Sequence, residues 1–117
     1  MNKQQNNLYD LVIENKPFLH IKNVSFAEED NWIVRYLSSQ GKIKTLKELC
    51  KTKNGLDLSD KNNQALLLAI ENNYIETALF LLKDNNVITK AKRSPKLMKK
   101  INLIIIKNKL DNFQLDL

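Results

Sequence analysis

The chain has 117 residues, 43% of them hydrophobic and 27% charged, with a formal net charge of +6. That length suits one domain with its own core, and the apolar content excludes a disordered chain. Two glycines and two prolines exclude an all-β sandwich, which needs turn residues roughly every 8 to 12 positions. The longest apolar runs fall far short of the ~20 residues that cross a bilayer, so no membrane partner is expected.

The first seven residues are polar and lack the apolar stretch and small-residue cleavage site of a secretory signal. The expected location is therefore the cytoplasm, of the producing cell or of an infected host. Leu8, Leu11 and Val12 predict a helix that Pro17 stops, assigned as an N-terminal cap over residues 1–24. Ser25-Phe26-Ala27-Glu28 fits a capping box, and the helix it starts is predicted to run through Trp32, Ile33, Tyr36 and Leu37 to Gly41. A second helix follows on Ile43, Leu46 and Leu49, ending near Lys51. Asn54-Gly55 is the strongest turn signal, because both residues accept positive φ, and it closes a first unit over residues 25–58.

In the second unit, residues 59–91, Leu66, Ala69 and Ile70 recur at i, i+3, i+4, and Ile75, Ala78, Leu79 and Leu82 repeat the pattern. Asn72-Asn73 breaks the two helices, since asparagine tolerates the left-handed backbone that ends a helix. Lys83-Asp84-Asn85-Asn86 closes the unit. Ser94-Pro95 restarts a helix, with Ser as cap and Pro in the first position. Leu97, Met98, Ile101, Ile104, Ile105, Leu110 and Phe113 give it an apolar face. Residues 92–117 are read as a C-terminal cap, either one long helix or a helix pair broken near Asn108.

The two units align. Gly41 stands where Asn73 does, and Ile43, Leu46 and Leu49 stand where Ile75, Ala78 and Leu81 do, a period of 32 residues. A period in this range means stacked supersecondary units. Helices this short are marginal alone, so each pair must bury its flanks on its neighbours.

These residues resemble ankyrin repeats, in a short, degenerate form with about two repeats and helical caps. The family's Gly-His-Leu-Glu-Ile-Val-Lys-Leu-Leu-Leu block is matched by Asn73-Tyr74-Ile75-Glu76-Thr77-Ala78-Leu79-Phe80-Leu81-Leu82, and in the first unit by Gly41-Lys42-Ile43-Lys44-Thr45-Leu46-Lys47-Glu48-Leu49-Cys50. Its Gly-x-Thr-Pro-Leu-His-x-Ala-Ala opening survives only as Leu66 and Ala69 within Asn62-Asn63-Gln64-Ala65-Leu66-Leu67-Leu68-Ala69-Ile70. The resemblance covers roughly residues 31 to 88. It implies an all-α, short ankyrin-like helical solenoid between N- and C-terminal capping helices. It also implies a non-enzymatic inhibitor or adaptor that holds one protein partner on its finger loops and concave face. By position, that surface is Leu58, Ser59, Lys61, Asn63, Leu67, Glu71 and Asn72, with Arg35 and Ser39 from the first unit; Leu67 occupies the place of a histidine that the family usually buries. Small Lys- and Asn-rich ankyrin proteins of large DNA viruses, phages and intracellular bacteria, which blunt a host protein, are similar.

No constellation for catalysis, metal or cofactor binding is visible. His20 is the only histidine and has no Cys, Asp or second His at ligand spacing. Cys50 is the only cysteine, lies in the stripe with Leu46 and Leu49, and is read as a buried structural thiol. Asp57 and Asp60 lack the ligand alternation of a calcium loop and are read as turn and cap residues. The competing signal is charge. Lys90, Lys92, Arg93, Lys96, Lys99, Lys100, Lys107 and Lys109 run without an acid between them, a block that attracts acidic surfaces or phosphates. Lys92, Arg93, Lys96, Lys99 and Lys100 form the alternative site. Lysine outnumbers arginine 17 to 2, which argues for nonspecific rather than base-specific contact with nucleic acid. An imperfectly capped stack end would add weak homodimerisation to an otherwise monomeric protein.

Overall fold

The computed structural model describes residues 13–14, 31–52 and 56–115, with side chains at 13–14, 31–51 and 56–110. The N-terminal cap apart from Ile13 and Glu14, the Ser25 capping box, His20 and the Asn54-Gly55 turn lie outside the described residues. Among those described, the fold is all-α: α1 (Trp32–Ser39), α2 (Ile43–Thr52), α3 (Asp60–Glu71), α4 (Ile75–Leu81), α5 (Asn85–Ala91) and α6 (Pro95–Leu115).

The helices pack in chain-order pairs, α1 on α2, α3 on α4 and α5 on α6, and the first members of successive pairs meet, α1 on α3 and α3 on α5. α3 also touches α6. Its Ala65, Leu66 and Ala69 are completely covered, the small alanines letting neighbouring backbones approach. Ile33, Val34 and Leu37 of α1, Leu46 and Leu49 of α2, Ala78 and Leu81 of α4, Val87 and Ala91 of α5, and Ile101 and Ile104 of α6 complete one core.

The turns inside the first two pairs are built alike. Gly41 (φ 67°) and Asn73 (φ 64°) are both left-handed, the conformation that the 32-residue alignment requires of them. The two turns also touch: a Cβ on Gly41 would run into the ring of Tyr74, and Asn72 Nδ2 donates to the Ser39 carbonyl at 3.3 Å. On the outer side, Lys47 Nζ lies 5.7 Å from the Phe80 ring centroid and joins α2 to α4. Inside, Asn31 Oδ1 accepts from Asp57 N at 2.9 Å, and Asn63 Nδ2 donates to the Val87 carbonyl at 3.0 Å.

Two sequence expectations change, the left-handed start of α3 is an addition, and one open alternative is decided. The helix expected to run from Ser25 through Trp32 is interrupted at Asn31, whose φ of 52° breaks a right-handed helix. α3 opens with a left-handed turn at Lys61, Asn62 and Asn63 (φ 53°, 55° and 65°), a conformation costing ~1 kcal/mol or more per residue; asparagine at two of the three positions lessens that cost. The residues expected to close the second unit instead form α5, capped by Asp84, whose side chain accepts from Val87 N at 3.1 Å. The C-terminal segment is one helix through Asn108, begun by the Ser94 cap, whose Oγ accepts from Leu97 N at 3.2 Å.

Burial separates core from surface sharply on these helices. Leu66→Ala, at a completely covered site, is expected to lower unfolding free energy by about 2–5 kcal/mol. Leu103→Ala, at a site 60% exposed, is expected to change it by no more than about 0.5 kcal/mol. Urea unfolding followed by circular dichroism measures both.

Candidate functional site

Leu67 and Glu71 stand one helical turn apart on α3 and so share a face, turned away from the buried Leu66 and Ala69. Across from them the chain leaves α5 through Lys92 and Arg93, and Ser94 caps α6. An open cavity of about 560 Å³ lies between, walled on the α3 side by Asn62, Asn63, Leu67 and Glu71 and on the other by Lys90, Arg93, Ser94, Lys96, Leu97 and Lys100. Four cations thus face it against one carboxylate. Lys96 and Lys100 share a face of α6 by their i, i+4 spacing, at the positive end of the helix dipole.

The apolar part of the cavity comes from Leu67 and Leu97, both half-buried. Lys90 is partly committed, donating to the Ser59 carbonyl at 3.4 Å. Asn63 is 1% exposed; its amide nitrogen holds Val87 O, and its Oδ1 is buried with no hydrogen-bond partner. A buried acceptor left unpaired costs about 1–3 kcal/mol.

The residues expected to bind a partner divide into three groups. Leu67 and Glu71 line the cavity, and Lys61 is exposed on the left-handed turn beside it. Ser59 and Asn63 are buried, Asn63 as part of the cavity wall. Ser59 bonds Asp57 Oδ1 through both its amide, at 3.0 Å, and its hydroxyl, at 2.7 Å, and Leu58 packs half-buried against the core. Arg35, Ser39 and Asn72 are engaged within the protein. Arg35 Nη1 pairs with Asp60 Oδ2 at 3.0 Å, Ser39 Oγ donates to the Tyr36 carbonyl at 2.8 Å, and Asn72 reaches Ser39 as described. Of the alternative basic residues, Arg93, Lys96 and Lys100 line the cavity, while Lys92 and Lys99 lie exposed outside it.

The structure therefore joins parts of two sets that the sequence keeps separate. Asn62, Lys90, Ser94 and Leu97 line the cavity and were in neither set; Leu97 reads as ordinary core in the α6 apolar pattern, and nothing in the sequence marks it as facing a cavity.

Asp57 Oδ1 accepts from Ser59 N, as expected of a turn residue, whereas Asp60 is the first residue of α3 and not its cap; its carboxylate pairs with Arg35. Among the described residues no three His, Cys, Asp or Glu side chains gather where they would hold a metal ion. No helix of the described residues is long and apolar enough to cross a membrane.

Comparisons with protein-family models, with curated proteins and with solved structures return no match.

Cys50 is half-buried, and burial, reinforced by the charge of Asp84, pushes its thiol above the ordinary thiol range. The raised value leaves less thiolate at a given pH, so Cys50 reacts more slowly than a free thiol near neutrality. Iodoacetamide at pH 7.5 is expected to alkylate the folded chain several-fold more slowly than the urea-unfolded chain. The difference should narrow as pH rises through the folded-state pKa, and equal rates at pH 7.5 would contradict the assignment.

Proposed function

We propose that this chain is a non-enzymatic protein-interaction module of ankyrin-like build, an inhibitor or adaptor that holds one partner protein on the face shared by α3, α5 and α6. The observation that carries the reading is the cavity itself, where the expected contact residues Leu67 and Glu71 stand opposite Arg93, Lys96 and Lys100. Rigid helices flank it, and rigid placement limits the entropy lost on binding. The alignment of the first two pairs, with left-handed turns at Gly41 and Asn73 and contact between the leading helices α1 and α3, supports an ankyrin-like arrangement. A cytoplasmic site of action, in the producing cell or an infected host, and a role in blunting a host protein belong to the same reading.

Arg35 does not serve as a probe of this face, because reversing its charge breaks the ion pair with Asp60 and disturbs packing. Leu67→Asp does serve, as it replaces an apolar contact at the cavity wall with a charge. Affinity capture with mass spectrometry from the native cell or its host is expected to recover a protein with wild type and lose it with Leu67→Asp, circular dichroism confirming that the variant is folded. Undiminished capture by the folded variant would remove this face as the site.

A second reading has one observation in its favour. Lys96, Lys99, Lys107 and Lys109 are exposed along α6, and no acidic residue occurs between Asp84 and Asp111, so the helix offers a cationic strip to nucleic acid or another acidic polymer. In that case log affinity for single-stranded DNA falls linearly with log salt, by roughly 0.7 per phosphate neutralised. A flat salt response dismisses it.

A further inference from the structure

We propose that the cavity between α3 and the start of α6 seats the anionic side chain of an acidic peptide segment, and that this segment is what the partner protein contributes. The inference rests on the interaction reading above and names the chemistry that satisfies the site.

Charge is the first ground. Lys90, Arg93, Lys96 and Lys100 line one cavity with Glu71 as the lone acid. Lys90 is turned toward Ser59 O, whereas the side chains of Arg93, Lys96 and Lys100 make no hydrogen bond or ion pair among the described residues. Like charges gathered around a concave surface repel one another, and field lines are focused there because the walls have a low dielectric constant. An entering anion relieves that repulsion, and the positive end of α6 adds to the attraction.

The second observation is independent of charge. Leu67 and Leu97, both half-buried, give the same cavity an apolar wall. An inorganic anion leaves that wall uncovered, whereas a peptide carries a carboxylate or phosphoryl group beside the apolar side chain of a neighbouring residue.

Size sets the same limit. About 560 Å³ matches the lower part of the range for clefts that enclose a ligand, enough for two or three side chains and too confined for a duplex. A nucleic acid strand on this protein would instead lie along α6 and use Lys107 and Lys109, which stand beyond the cavity. A second copy docking through the same face would bring lysine against lysine.

Fluorescein-labelled peptides of alternating Glu and Leu, their Lys-for-Glu counterparts, and a counterpart with one phosphoserine in place of Glu serve as probes for the full-length chain, read by fluorescence anisotropy. The acidic peptide is expected to bind at least about tenfold more tightly than the basic one. The Arg93→Glu/Lys100→Glu pair is expected to weaken it about tenfold or more, and Lys107→Glu/Lys109→Glu, with the same change in net charge, less than about threefold. Arg93→Gln/Lys100→Gln, checked by circular dichroism, replaces the first pair should that pair fail to fold. Tighter binding of the phosphorylated peptide assigns the seat to a phosphoryl group, and equal or weaker binding assigns it to a carboxylate. Equal losses in the two pairs of variants overturn the proposal in favour of charge spread along the helix, and no acidic-peptide binding at millimolar concentration overturns it outright. If the captured partner is lost with Leu67→Asp but kept with Arg93→Glu/Lys100→Glu, the interaction reading stands and the anion seat falls.

Discussion

Burial of α3 is the constraint from which the rest of the molecule follows. A right-handed helix running only from Gln64 to Glu71 cannot hold itself in water, and Ala65, Leu66 and Ala69 give it too little side chain to form a core unaided. It is stable because α1 and α5 flank it and α4 and α6 back it. Each of those neighbours is short or one-sided in its turn and needs α3 for the same reason. The polar links fall along the same seams: Asn31 and Arg35 toward the start of α3, Asn72 toward α1, and Asn63 toward α5. These bonds add modest stability, about 1 kcal/mol each, but they fix the register in which the apolar faces meet.

The candidate site is a by-product of that packing. α5 follows α4 after three residues, Leu82, Lys83 and Asp84, so the third helix pair arrives without a loop of the length that separates α2 from α3. The short connection carries the basic turn at Lys92 and Arg93, and the start of α6, in front of the exposed face of α3. Lys90 reaching Ser59 O and Asn63 reaching Val87 O tie the two sides at the inner edge and leave the outer edge open.

Much of the fold was legible in the sequence where periodicity and special backbone positions coincide. Leu66, Ala69, Ala78 and Leu81 lie in the core, and the boundary residues Gly41 and Asn73 have the left-handed backbone that their alignment demands. The Ser94-Pro95 start was equally clear because cap chemistry is local. α5 was not legible: Asn85, Asn86, Val87, Ile88 and Thr89 are indifferent helix formers, seven residues show hardly two turns of any period, and the helix exists because it docks on α3. The left-handed turn at Lys61, Asn62 and Asn63 was hidden for a related reason, since the same letters begin an ordinary helix. The cavity was half visible, as a basic block and as a set of positions on α3 carried over from a family resemblance. That the two face one another is a tertiary fact about residues some 20 to 40 apart in the chain, and no local pattern encodes it.

Native-state hydrogen exchange tests most directly whether α3 binds the helices into one cooperative unit. The account predicts that amides of Leu66, Leu67 and Ile70 exchange only through global unfolding, and that those of Leu37, Leu49 and Leu81 share the same opening free energy and denaturant dependence. Release of the α1 and α2 amides in a separate transition, with α3 and α4 still protected, would show that the pairs stand independently and contradict it.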